Sequence, residues 1–343
     1  MESAGAGKSQ VTTTAAENEV RNSRKQLCML CAALATWYAL NVVHIMTTKS
    51  LLNVFPVPWS LCAFEFTVGW LFAGLFWGTG FRTMPRFPTF GVFAKLFIPL
   101  GITTVALHCG SIISMALGSV SFTTVIKAAE PVATAVLSIL LLQDYLNIYV
   151  YLSLVPIVVG VGLASLKELD FNALSFISAM LSNVFEAFRA IVTKRLDTAD
   201  ESYGTNLTPT NIYMVFTLVA SCVCVPMALI IEAPTIVEVW HTSTDTLSDW
   251  DRGYVIFQFV SCGFMYYIYN DCAFYCLGQM NQVTHSVLNT MKRIVVIVVS
   301  IIIFKNPVEP LGYVGMAIAI AGGLCYSLAK QGVCTRRQEV EVI

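Results

Sequence analysis

Residues 283–304 read VTHSVLNTMKRIVVIVVSIIIF, an apolar stretch long enough to cross a hydrocarbon core of about 30 Å as a helix. Two adjacent cations, Lys292 and Arg293, stand well inside it, and the stretch contains no acidic residue. Each deep cation costs on the order of 2.5–3.5 kcal/mol on insertion scales, so their presence needs a cause. If this stretch spans a membrane, the pair marks the place where the chain acts.

The surrounding sequence decides for the membrane. Apolar segments recur at approximately 27–49, 58–80, 92–117, 120–142, 146–167, 172–194, 210–233, 254–278, 283–305 and 308–330. Several are joined by gaps short enough for the hairpins of a membrane bundle. The chain of 343 residues is 56% hydrophobic and 12% charged, against about 25% charged in soluble domains. The expectation is an all-α integral membrane protein of about ten transmembrane helices, forming one membrane domain over 27–330. A polar arm (1–26) precedes it and a tail (331–343) follows. A net charge of −1 excludes a globally basic nucleic-acid binder. The eleven cysteines are scattered mostly through apolar runs, and Cys28 with Cys31 lacks the second Cys/His pair that a structural metal requires.

Charge placement orients the chain. Ten spans put both termini on one side, and that side carries Lys8, Arg21, Arg24, Lys25, Arg82, Arg86, Lys194, Arg195, Lys330, Arg336 and Arg337. The other side carries Lys49, Lys167, Arg252 and Lys305, and its longest loop, 234–253, holds Glu238, Asp245, Asp249 and Asp251. Eleven against four predicts cytosolic termini. The arm has no apolar core of a signal peptide, and the sequon at Asn206 falls on the cytosolic side, where it stays unglycosylated.

An internal repeat runs at an offset of 162 residues: SILLLQD from Ser138 lies over SIIIFKN from Ser300, Tyr151 over Tyr313 and Gly160 over Gly322. Five helices is an odd number, so the second copy (about 172–330) enters the membrane opposite to the first (about 27–167). Inverted repeats of this kind characterise secondary transporters, whose site lies near the midplane.

Besides Lys292 and Arg293, Lys127 and Arg189 lie within spans, as do Glu65, Glu130, Glu186 and Asp271. Glu186 and Arg189 are one turn apart and are expected to form a structural ion pair. Lys127 has Glu130 at the same spacing, so it is either paired or free to bind. For Lys292 and Arg293 the alternatives are a distant carboxylate, Asp271 or Glu65, or a phosphate held bidentately by Arg and by Lys as a point charge. Few other polar groups are nearby: His108 and Ser111 one turn apart on the third span, and Tyr269 to Asp271 on the eighth. The four histidines, at 44, 108, 241 and 285, form no metal motif, so an enzyme has little support and no cofactor or metal is expected.

At these residues the sequence resembles the plastid phosphate translocators of the drug/metabolite transporter superfamily, over nearly the whole chain after residue 26. The stretches that carry the likeness are SFTTVIKAAEP from Ser121, Tyr269-Asn270 and THSVLNTMKR from Thr284. The resemblance implies antiport of inorganic phosphate against phosphorylated three-carbon compounds such as triose phosphate, 3-phosphoglycerate or phosphoenolpyruvate. It also implies that Lys127, Lys292 and Arg293 hold the phosphate while His108, Ser111 and Tyr269 contact the variable end. Ser111 stands where the family has Thr. The alternatives are a nucleotide-sugar or related Golgi or ER carrier of the same fold, and a non-transporting membrane protein. No long Ser-rich transit sequence precedes the first span, from which an outer membrane of a secondary plastid is expected, with the Golgi or ER as the alternative.

Overall fold

A computed structural model describes residues 3–143, 147–166, 168, 171–194, 203–280, 282–305 and 309–341. They form twelve helices: α1 (Ser3–Val54), α2 (Pro58–Gly78), α3 (Phe90–Leu117), α4 (Val120–Lys127), α5 (Glu130–Leu142), α6 (Ile148–Leu166), α7 (Ala173–Lys194), α8 (Pro209–Ile231), α9 (Ile236–Thr244), α10 (Asp249–Gln279), α11 (Gln282–Phe304) and α12 (Pro310–Glu341). Among the described residues the only β pairing is an isolated bridge between Arg86 and Thr205. Among the described residues nine stretches are long and apolar enough to cross a membrane, α4 and α5 together counting as one. The expected eighth span, α10, is not among them; its 31 residues carry Asp249, Asp251, Arg252 and Asp271. It nevertheless packs along α1, α2 and α8 with Tyr266, Tyr267 and Tyr269 buried, as a tenth helix of the bundle.

The outward face of the bundle is apolar, and polar groups are buried among its apolar core. Leu140, Val155 and Ile302 are more than half exposed, whereas Asn41, His44, Thr48, Glu65 and Ser114 are buried. That distribution suits a lipid solvent, in which polar groups must find partners within the protein.

Helix packing follows a two-fold relation between the halves. The second helix of each half packs on its counterpart (α2 on α8), as do the fourth (α4 on α11) and the fifth (α6 on α12). The packing of α3 on α7 and that of α1 on α10 are exchanged by the same operation. The offset is visible to the atom at the α6–α12 crossing: a Cβ on Gly160 would strike the backbone of Ala319, and one on Gly322 would come within 2.8 Å of Ile157 N. Both 160 with 322 and 157 with 319 differ by 162. Small residues let these two backbones approach closely, which supplies the van der Waals contact that holds helices together in lipid.

Two expectations are corrected. The span read as 120–142 is two helices, broken at Ala128–Ala129. Pro131 has no N–H, so the carbonyl of Lys127, four residues earlier, loses its helical partner there. The loop 234–253 contains a helix, α9, which starts after Thr235. The first and last helices extend beyond the apolar segments: α1 begins at Ser3, in the polar arm, and α12 reaches Glu341, in the tail.

Candidate functional site

Lys127 ends α4 at the break, and its ammonium reaches α3 and α7. It donates to Ser182 Oγ at 2.8 Å, to Ser111 Oγ at 3.1 Å and to Glu186 Oε2 at 3.1 Å. Ser111 and Ser182 lie 2.8 Å apart across the α3–α7 contact. Glu186 is shared: its other oxygen stands 3.9 Å from Arg189, one turn on. The expected Glu186–Arg189 pair is therefore the longer of two contacts. Lys127 pairs with Glu186 rather than with Glu130 because the break after Lys127 removes the continuous helical face that a three-residue spacing would need.

Arg293 closes the cluster from the other half. Its Nη1 donates to the freed carbonyl of Lys127 and its Nη2 to Glu130 Oε2. The expectation of two unneutralised cations fails for Arg293, since its partner comes from a span more than 160 residues away and is invisible in its own. It holds for Lys292 among the described residues: no carboxylate lies within ion-pair distance, and the ammonium sits 5.0 Å from the centre of the Trp37 ring. Trp37 stacks on His285 at 4.9 Å and Tyr38 donates to the carbonyl of Leu288, so α1 covers this turn of α11. Neither distant carboxylate serves the pair. Asp271 accepts two bonds of 2.7 Å from Arg82 of the α2–α3 loop, and Glu65 is taken up elsewhere. Burial opposes the charge of Arg82, but Asp271 outweighs it and raises the pKa.

Glu65 of α2 is buried between two imidazoles. His44 of α1 meets its Oε1 at 2.6 Å, and His108 of α3 meets its Oε2 through Nε2. Tyr266 and Tyr269 of α10 cover the group, with ring centroids 4.2 Å from His108 and 5.3 Å from His44 respectively. His108 and Tyr269 both border this group, His108 against Tyr266 and Tyr269 against His44, and one turn of α3 links His108 to Ser111 and the cations. Ser182, His44 and Trp37 were not singled out from sequence. His44 and Glu65, ionisable residues well inside the first two spans, were the signal that could have found the triad.

The geometry presents two connected groups: a cationic cluster contributed by both halves, and a buried carboxylate with two histidines beside it. In the first, Lys127, Arg189 and Arg293 pair with Glu130 and Glu186 while Lys292, next to Arg293 in the chain, lies over Trp37, so four cations stand against two carboxylates. The excess is two positive charges, the complement of a phosphate dianion.

A model of the Triose-phosphate Transporter family matches residues 28–327. Glucose-6-phosphate/phosphate translocator 1, chloroplastic, of Arabidopsis thaliana is 35% identical over 317 residues, 92% of this chain and 79% of the relative. The chloroplastic triose phosphate/phosphate translocator of Pisum sativum is 36% identical over 306 residues, 89% and 73% of the two chains. That of Spinacia oleracea is 37% identical over 294 residues, 86% and 70%. A crystal structure described only as that of a protein aligns with a TM-score of 0.51 at 13% identity, over 89% of this chain and 97% of the other, a likeness of fold alone.

Proposed function

This chain belongs to the triose-phosphate transporter family, and we propose that it exchanges inorganic phosphate for phosphorylated three-carbon metabolites by alternating access of its two five-helix halves. The observation that carries the reading is the cationic cluster assembled across the halves, Lys127 from one and Lys292 with Arg293 from the other, with two positive charges to spare. Arg293 supplies a planar fork and the two lysines supply point charges, a combination suited to phosphate oxygens. Ser111 borders the cluster through Lys127, and His108 and Tyr269 lie beyond it, where the organic part of the substrate would extend. Ser111, with no methyl group, leaves more room there than Thr would.

The relatives named as phosphate translocators support antiport, and their chloroplastic location supports a plastid membrane. Within that reading, the protein is a carrier rather than an enzyme, sits in an outer membrane of a secondary plastid, and keeps both termini in the cytosol. The test is uptake of labelled phosphate into liposomes containing the purified protein, preloaded with one counter-substrate at a time. Triose phosphate, 3-phosphoglycerate and phosphoenolpyruvate are expected to accelerate uptake. Glucose 6-phosphate is the informative comparison, given the Arabidopsis relative. Acceleration by nucleoside monophosphates alone would overturn the proposal in favour of a nucleotide-sugar carrier.

A further inference from the structure

We propose that the groove between α2, α3 and α8 is a lipid site, holding one acyl chain of an anionic phospholipid from the leaflet on the side of the α2–α3 loop.

A cavity of about 450 Å³ opens on the outward face of the bundle. One wall is Trp70 and Trp77 of α2 with Phe93 and Ile98 of α3, and the other is Val215 and Cys222 of α8. The helices meet beside it through small residues: a Cβ on Gly101 would come within 2.5 Å of Val219, and one on Gly69 within 2.9 Å of Thr217. Trp70 is 52% exposed, so the fold leaves a large ring for something else to cover. Both indoles spend their only donor inside the protein, Trp70 Nε1 on Ser221 Oγ at 2.6 Å and Trp77 Nε1 on Asn211 Oδ1 at 3.3 Å. The walls therefore offer an occupant packing and no hydrogen bond, which selects hydrocarbon. From Val215 to Cys222 the groove follows α8 for about 10 Å, which fits within one leaflet of a hydrocarbon core of about 30 Å.

The mouth supplies the contact for a head group. Arg86 stands between Pro85 and Phe87, which both line the cavity, and Lys95 is one turn before Ile98. Both cations are exposed, and among the described residues neither side chain forms a hydrogen bond or ion pair, whereas Arg82 of the same loop is held by Asp271. Helical side chains lean toward the N-terminus, here the loop end of α3, so the long Lys95 stem carries its ammonium toward the level of Arg86. Residues 79–89 and the first turns of α3 and α8 contain no acidic residue. Two unpaired cations beside an apolar slot complement a phosphodiester joined to an acyl chain. A zwitterionic lipid brings an ammonium of its own, which these cations repel. Because α2 and α3 belong to one half and α8 to the other, the lipid bridges the seam and stabilises this arrangement of the halves.

The experiment uses the full purified chain in detergent micelles with phosphatidylglycerol that carries a photoreactive diazirine at the end of one acyl chain. Adducts are expected on α2 around Trp70 and on α8 around Cys222, suppressed by unlabelled phosphatidylglycerol and not by phosphatidylcholine of the same chains. Arg86→Gln combined with Lys95→Gln is expected to weaken phosphatidylglycerol binding roughly thirtyfold and to abolish the preference. Added phosphatidylglycerol should raise the melting temperature of the parent and not of this double variant, because a ligand of the folded state stabilises it by mass action. Ile98→Trp fills the groove and should block the adducts; should it fail to fold, the double variant, which changes only exposed side chains, decides. Adducts scattered over the outward faces of all spans, or equal competition by phosphatidylcholine, would overturn the site. Parent-like labelling of the double variant would overturn it as well. None of these readouts involves transport, so the result stands apart from the exchange proposed above.

Discussion

Arg293 donates to the backbone carbonyl of Lys127, the one carbonyl of its turn that Pro131 leaves without a helical partner. A residue of the second half thus completes a helix of the first, and the same guanidinium binds Glu130 at the start of the next helix. The join between the halves is made at the residues proposed to bind phosphate, so closing on substrate and holding the halves together involve one side chain.

Replacing Arg293 tests whether its fork matters. Arg293→Lys keeps the charge but cannot reach both the Lys127 carbonyl and Glu130. Losing one charge-assisted hydrogen bond of about 1.5–3 kcal/mol lowers the initial rate of phosphate exchange by roughly ten- to a hundredfold. Arg293→Ala strands Glu130, costs on the order of 3–5 kcal/mol and reduces the yield of folded protein, measured by size-exclusion chromatography in detergent. Parent-like exchange by Arg293→Lys contradicts the dual role.

Pro131→Ala returns an N–H to the position that can bond the Lys127 carbonyl. It competes with Arg293, straightens the passage from α4 to α5 and releases the guanidinium from its backbone anchor. The expected outcome is a melting temperature equal to or above that of the parent, together with slower exchange. Faster or unchanged exchange would show that the break is incidental.

Lys292 and Glu186 separate binding from folding. Lys292 touches no described carboxylate, so Lys292→Ala relieves an insertion cost without stranding a partner. It is expected to leave folded protein in the membrane and abolish phosphate uptake. Glu186→Ala leaves Lys127 and Arg189 without their shared carboxylate and lowers yield more than it lowers activity per folded molecule. Comparing detergent-extracted yield with initial rate in liposomes distinguishes the two patterns.

Strict exchange follows from the charge count. An empty carrier must bring two spare positive charges into an occluded state of low dielectric, whereas a dianion cancels them, so cargo stabilises the state through which it passes. Uptake into empty liposomes should be far slower than into phosphate-loaded ones, at a clamped potential. Equal rates would remove the gating role from Lys127, Lys292 and Arg293.

The orientation is checked with cysteines placed on the α2–α3 loop and on α9. Met84→Cys and Glu238→Cys, in a background with reduced native labelling, should react with an impermeant reagent from opposite sides of the membrane, Met84→Cys from the side of the termini. Both sites are exposed. Labelling of both from one side would contradict ten spans.

The sequence by itself determined that the chain is a membrane bundle, where its spans run, that its halves repeat at 162 residues, and which buried cations are costly enough to need a cause. Those conclusions rest on local quantities: apolar length, the insertion cost of a charge, and spacing along one chain. It also placed His108, Ser111, Lys127, Tyr269, Lys292 and Arg293 as the polar residues to watch, and the fold gathers them into two adjoining groups. Only the tertiary structure decided who pairs with whom. Lys127 found Glu186 rather than Glu130, Arg293 found Glu130 rather than Asp271, and Asp271 found Arg82. Glu65, which looked like a spare carboxylate, became the centre of a triad with His44 and His108. In a bilayer, a buried charge takes whichever partner the helix packing brings within reach, because there is no water to serve instead. Sequence spacing can predict that partner along one continuous helix, but not across a break at Pro131 or between spans brought together by a two-fold relation.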